Sequence, residues 1–220
     1  MVATRLRRML VDSPNSVGAK ARLKRWELFR QTFPNVEDMN LLDLGGTVET
    51  WRRSPVRPRK VTVLNLFEPG ESDGDRILAV KGDACEATAV LANENTDTSF
   101  DVVFSNSLIE HVGGHVRRSE LAAQIHQLAP RHWVQTPYRY FPIEPHWLFP
   151  GMQFMPVAAR VKVANHWPLV HTRPSSIDEA RNEVLWTELL SVTEMRDYFP
   201  TSTILRERVL GMAKSLIAVR

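Results

Sequence analysis

The sequence predicts an α/β fold: a three-layer sandwich around a mostly parallel seven-stranded sheet, finished by a C-terminal antiparallel hairpin. Three observations predict it. Short apolar runs bounded by turn residues, the pattern of strands buried on both faces, recur five times between Met39 and Gln135. A segment of helical spacing separates the last two runs, which calls for crossovers between parallel strands. Two β-rich runs near the end, Thr203 to Val209 and Lys214 to Val219, follow each other so closely that they can only pair antiparallel.

The elements follow in order. Ser16 to Phe33 reads as an amphipathic helix ended by Pro34, with Arg22, Lys24 and Arg25 interleaved among Leu23, Trp26, Leu28 and Phe29. The first strand, Met39 to Leu44, stops at the pair Gly45-Gly46. Val61 to Leu66, Ile77 to Lys81, Phe100 to Ser105 and Arg131 to Gln135 are the next four. The connections between the second, third and fourth are short or rich in Gly and Asp, so their helices are expected to be abbreviated. Glu120 to Leu128 carries Leu121, Ile125 and Leu128 on one helical face. Thr193 to Tyr198 reads as a last helix capped by Thr193.

Tyr138 to Pro174 departs from this alternation. Its prolines, among them Pro142, Pro145, Pro150, Pro156 and Pro168, forbid a long regular helix, while Trp147 and Trp167 demand burial. His146, His166 and His171 lie in the same stretch. Residues 138–192 are therefore expected to form an irregular lid over the carboxyl edge of the sheet, inside a single domain spanning residues 1–220.

Composition narrows the class. Hydrophobic residues at 43% and charged residues at 24% of 220 exclude disorder and fibrous repeats. The net charge of +3 is too small to demand a nucleic acid. Met1 to Lys60 holds thirteen basic and six acidic residues, either a basic arm or, more simply, a solvated helix face. The single cysteine, Cys85, excludes an internal disulfide and reads as a small core residue. No apolar run approaches the ~20 residues of a membrane span, and the Arg-rich start lacks a secretory core. A cytoplasmic protein is expected.

The turn after the first strand is the strongest chemical signal. Glycines there let backbone approach a ligand where a β-carbon would obstruct it. Gly45-Gly46-Thr47-Val48-Glu49-Thr50 lacks the third glycine of a dinucleotide fingerprint, and Glu49 would repel a pyrophosphate, which disfavours nicotinamide and flavin cofactors.

Four stretches, in order, resemble the class I S-adenosylmethionine-dependent methyltransferases, whose fold is Rossmann-like. They are Leu41 to Gly46, Val61 to Leu66, Gly82-Asp83-Ala84, and Phe100 to Val112 with its Glu110-His111 pair; the terminal hairpin is similar to the family's last strands. The resemblance implies that Asp43, Gly45 and Gly46 form the loop beneath the methionine and ribose. It implies Asn65 at the ribose hydroxyls, with Glu68 as an alternative, and Asp83 with Ala84 at the adenine. Ser105 and Ser107 join them in the pocket for S-adenosylmethionine. Many members carry an acidic residue where this chain has Asn65; an amide can still donate and accept to a diol. Asp83 at a strand's carboxyl end is expected to do ligand work; the plainer reading is a helix N-cap, and both can hold together.

The acceptor is read from Gln135 to Trp147, a stretch that resembles methyltransferases of glycan biosynthesis. A sugar hydroxyl has a high pKa, so a base or a metal helps it attack. His146 is the candidate base with Glu144 orienting it; Tyr138, Arg139, Tyr140 and Trp147 are the candidate substrate contacts. For His146 and Tyr140 simple packing is an equal reading. A Mg²⁺ ion is admitted but not demanded, with Glu110, His111, Glu144 and His146 as candidate ligands. The partners expected are a small-molecule or oligosaccharide acceptor, no nucleic acid and no membrane span; monomer and homodimer both stay open. Three alternatives stand beside this: an aromatic or lipid-like acceptor, an RNA acceptor, and a methyltransferase-like protein with a dead site.

Overall fold

The computed structural model describes residues 16–169 and 173–220. His171 and the Arg-rich start of the chain lie outside the described residues. Helix α1 (Val17–Thr32) begins behind Ser16, whose Oγ accepts from the Ala19 amide at 3.1 Å, and ends at Phe33 just before Pro34.

Five strands then alternate with short helices: β1 (Asn40–Leu44), α2 (Val48–Arg52), β2 (Lys60–Asn65), β3 (Ile77–Lys81), α3 (Ala87–Asn93), β4 (Val102–Asn106), α4 (His115–Leu128) and β5 (His132–Pro137). The connection from β3 to β4 holds the abbreviated seven-residue α3, as expected, whereas β2 passes to β3 with no helix between them. After β5 come a two-residue pair, β6 (Ile143–Glu144) and β7 (Phe149–Pro150), then α5 (Val157–His166), α6 (Ile177–Trp186), α7 (Val192–Tyr198), β8 (Thr203–Val209) and β9 (Met212–Val219).

The main sheet has seven strands in the order β3-β2-β1-β4-β5-β9-β8. The first five are parallel; β9 runs antiparallel to both β5 and β8. Period-two alternation along β1 sorts its side chains onto the two faces. Leu41 joins an aromatic layer with Phe29, Trp51, Phe104 and Trp133 beneath α1 and α2. Leu42 and Leu44 join the opposite layer, against Leu121, Ile125 and Leu128 of α4 and Met195 of α7. Trp26 lies parallel to Phe104 at a ring distance of 5.3 Å, so α1 lays its aromatic face on the sheet; Arg22 and Lys24 are exposed, whereas Arg25 turns in to pair with Glu207 of β8 and to donate to Gln135 Oε1 of β5.

Three local expectations are corrected. The last helix is capped by Ser191 rather than Thr193: Ser191 Oγ accepts from the Glu194 amide while the Glu194 carboxylate accepts from the Ser191 amide, a reciprocal cap that Thr193 cannot form. The hairpin turn is two residues, not four, because Leu210 and Gly211 both take positive φ (50° and 81°), the twist that joins strands most tightly. The proline-rich segment is less irregular than expected. Two ten-residue helices, α5 and α6, pack Val161, Ala164, Ala180 and Val184 around Trp147 and Met152 as a small core of their own. α5 fits because Pro156 precedes its first residue, where a missing N–H is harmless, and Pro168 follows its end.

Candidate functional site

The strand order reverses between β1 and β4, and in open α/β sheets ligands bind where it reverses, beyond the carboxyl ends of the strands. A cavity of about 540 Å³ lies there. Its wall takes Gly45 from the turn after β1, Asn65 and Phe67 from the end of β2, Asp83 and Ala84 after β3, and Ser107, Leu108 and His111 after β4. Five of the eight residues assigned to the cofactor, Gly45, Asn65, Asp83, Ala84 and Ser107, thus meet at one surface.

The other three lie behind it. Asp43 is 1% exposed, and Trp51 Nε1 donates to its Oδ2 at 2.6 Å. Its carboxyl folds over the loop so closely that a β-carbon on Gly46 would fall 1.8 Å from Oδ2, which explains the second glycine. Burial pushes the Asp43 carboxyl up to about 7, against the Trp51 and Gly46 hydrogen bonds. Ser105 is also buried; its Oγ donates to the Leu44 carbonyl at 3.1 Å, tying β4 to β1. Asp43, Gly46 and Ser105 shape the loop instead of lining the cavity.

Asn65 is placed at the cavity, but its amide is occupied. Nδ2 donates to the carbonyls of Gly45 (3.0 Å) and Gly46 (2.8 Å), and Oδ1 accepts from the Phe67 amide at 2.9 Å. The glycine loop is held by this side chain. Asp83 caps the turn after β3 through the Cys85 amide at 2.9 Å, so it is the N-cap the sequence allowed, and its Oδ2 also pairs with Arg117 of α4. Arg117 lines the cavity and was missed by sequence reasoning, since nothing local marks it among the cations of α4. Cys85 is buried, and burial pushes its thiol up to about 12, in keeping with an inert core residue.

The second cluster lies where α6 and the proline-rich segment meet the end of β4. Glu110 is fully buried; its Oε2 accepts from Thr136 Oγ1 at 2.9 Å and its Oε1 has no hydrogen-bond partner among the described residues. His111 Nε2 stands 3.1 Å from His146 Nε2, with the two rings nearly perpendicular. Glu144 fixes His146: its Oε1 is 2.6 Å from His146 Nδ1, and its Oε2 accepts from the amides of His146 (2.8 Å) and Trp147 (2.9 Å). The proline on each side of Glu144 holds this tight turn.

These surroundings set the charges. Burial opposes a proton on His146, but the Glu144 hydrogen bond and charge, with Glu110 nearby, carry its pKa above the ordinary imidazole value. Burial and the neighbouring His146 lower His111 to about 4, so it is neutral at pH 7. Burial raises the Glu110 carboxyl.

Several expectations about this region change. His146 does not line the cavity; His111 stands between. Glu144, expected as a Mg²⁺ ligand, has both oxygens engaged by His146 and the local backbone. Trp147 is buried in the small core, out of reach of a substrate. Arg139 is tied by Nε to the Leu189 carbonyl (2.7 Å) and by Nη2 to Glu194 (2.9 Å), because it bolts the segment to the start of α7. Tyr138 packs partly against the main core, whereas Tyr140 is 59% exposed and stacks on Phe154. The aromatic that does reach the cavity from the lid is Trp186, at the end of α6 and half-exposed.

The fold is that of class I S-adenosylmethionine-dependent methyltransferases, a Rossmann-like sandwich with its antiparallel strand pair at the end. The chain is similar to a 1,6-didemethyltoxoflavin N1-methyltransferase from Burkholderia thailandensis, solved with 1,6-didemethyltoxoflavin and S-adenosylhomocysteine (TM-score 0.53, 15% identity, 90% of this chain and 76% of that one). It is similar also to a methyltransferase from Mesorhizobium loti (0.54, 17%, 89% and 96%) and to the magnesium protoporphyrin IX methyltransferase of Synechocystis, solved with S-adenosylhomocysteine (0.51, 11%, 100% and 93%). No family model and no curated protein matches the sequence. Among the described residues no helix is long and apolar enough to cross a membrane.

Proposed function

We propose that the chain transfers a methyl group from S-adenosylmethionine to a hydroxyl group. The observation that carries this is the cavity at the strand-order reversal, walled by Gly45, Asn65, Asp83, Ala84 and Ser107. Its volume suits a small-molecule ligand. In this reading the adenine lies near Asp83 and the amino-acid end over the glycine loop, whose shape Asn65 and Asp43 maintain. Methyl transfer from a sulfonium is a single in-line displacement, so holding acceptor, methyl carbon and sulfur in line supplies most of the acceleration.

A hydroxyl must also lose its proton. The His111–His146 pair, with Glu144 behind, is the group placed for it: His111 borders the cavity, and an imidazole can take a proton at one nitrogen and release one from the other. The finer reading is a sugar or oligosaccharide acceptor, such as the anomeric hydroxyl of a methylated mannoside. It rests on the resemblance of the Gln135 to Trp147 stretch to methyltransferases of glycan biosynthesis, on the suspected likeness of the whole chain to methylmannose polysaccharide 1-O-methyltransferase, and on the exposed Tyr140–Phe154 stack, a surface suited to a sugar face. A second reading, an aromatic or lipid-like acceptor, is favoured by the apolar rim of Leu66, Phe67, Leu108 and Trp186. A cytoplasmic setting remains part of the proposal.

The test uses methyl-labelled S-adenosylmethionine with panels of saccharides and of aromatic or lipid alcohols. Label in a saccharide supports the first acceptor class, label in the other panel the second. Absence of S-adenosylhomocysteine binding by calorimetry overturns the cofactor assignment and leaves a dead site.

A further inference from the structure

We infer that Glu110, His111 and His146 form a binding site for a divalent transition metal of the zinc class, open on the side of the cofactor cavity. One carboxylate oxygen of Glu110 and one ring nitrogen from each histidine lie within 4.8 Å of one another. The two Nε2 atoms are 3.1 Å apart. Two ligands bound tetrahedrally at ~2.0–2.1 Å stand about 3.3 Å apart, so the two rings already hold that spacing, whereas the Glu110 oxygen, with the set spread over 4.8 Å, must close by about 1.5 Å through a side-chain rotation when the ion binds.

Two further observations point the same way. Glu110 is fully buried with Oε1 unpartnered, an arrangement that costs stability unless a cation or proton meets it. The far nitrogen of each imidazole faces a group that would orient it: Glu144 Oε1 at 2.6 Å from His146 Nδ1, and Thr187 Oγ1 at 3.5 Å from His111 Nδ1. A carboxylate behind a ligating histidine fixes the ring and raises its basicity. Two imidazoles and one carboxylate favour zinc, iron(II) or cobalt(II) over Mg²⁺, which prefers oxygen.

Three protein ligands leave a tetrahedral ion one open position, the arrangement of catalytic sites. His111 is the one ligand of the three that borders the cavity, so a position left open on its side would face the proposed acceptor, and the ion takes the place of the proton the two rings otherwise share. This role rests on the methyl-transfer reading; the binding of the ion does not.

The test titrates Co²⁺ and Zn²⁺ into the chelator-treated full chain, following the visible spectrum of cobalt and the heat of zinc binding. One equivalent of Co²⁺ with an intense four- or five-coordinate spectrum, displaced by Zn²⁺, is expected. His146→Ala should abolish that spectrum, and Glu144→Gln should weaken metal affinity about 10–100-fold. S-adenosylhomocysteine affinity measured on each variant reports folding and keeps the cofactor assignment separate. A spectrum of the hydrated ion alone in the unaltered protein overturns the inference, whatever the variants do; so does an unchanged spectrum in a folded His146→Ala protein, or tight binding of Mg²⁺ with none of Co²⁺.

Discussion

Asn65 spans the two glycines of the first turn, its Nδ2 donating to Gly45 O at 3.0 Å and Gly46 O at 2.8 Å. Where many methyltransferases close the second strand with a carboxylate, this chain uses an amide to hold its own loop. A carboxylate in that place would face two carbonyl oxygens with no proton to offer. Asn65→Asp is therefore expected to weaken S-adenosylhomocysteine binding about tenfold or more, the ~1.4 kcal/mol or more that a charged group facing unpaired carbonyls costs. Calorimetric titration checks it, and equal affinity would mean that the loop stands without the amide.

Gly46→Ala should destabilise the fold by about 2 kcal/mol or more, because the added carbon falls 1.8 Å from the buried Asp43 carboxylate. Urea unfolding measures this. A stability equal to that of the parent would show that Asp43 can swing away freely.

Asp43 also predicts a pH dependence. Its carboxyl ionises near 4 when unfolded and at about 7 when folded. Between those values the folded chain keeps a proton that the unfolded chain has released, so stability falls as pH rises, by up to ~1.4 kcal/mol per pH unit. The contribution is complete below pH ~4 and lost above pH ~7. Asp43→Asn should lack this slope. Parallel pH curves for the two proteins would place the Asp43 pKa elsewhere.

Asp83→Ala removes a partly exposed ion pair with Arg117, worth ~1 kcal/mol at most, and the cap on the Cys85 amide, worth ~1 kcal/mol. It should lower stability by only about 1–2 kcal/mol, leaving the protein folded, and reduce S-adenosylhomocysteine affinity about tenfold. The adenine assignment fails if affinity holds.

His146→Ala should lower turnover on the accepted substrate ~10²-fold or more while cofactor affinity stays within about twofold, since the ring lies behind His111 and outside the cofactor wall. Paired kinetic and calorimetric measurements separate the two; a fully active variant removes His146 from the proton path.

Much of the fold was legible in local patterns. Five apolar runs and a close C-terminal pair are short-range signals, and burial on both faces leaves few other arrangements for them. The glycine turn and the Asp83 turn were legible for the same reason, since each is a property of a few consecutive residues. Helix α5 was not, because a proline at each flank reads as a breaker until one sees that both lie outside the helix.

By itself the sequence determined which segments are strands, the ligand edge of the sheet and five residues that wall its cavity, Gly45, Asn65, Asp83, Ala84 and Ser107. Tertiary structure alone decided what those side chains are free to do. It joined Asp83 to Arg117 across 34 residues and His111 to His146 across 35, turned Trp147 inward and brought Trp186 to the cavity rim. Strand pattern is encoded in neighbours a few residues apart. The partner of a buried charge or ring is chosen by chain folding over long separations, where desolvation forces each polar atom to find whichever group the packing sets beside it.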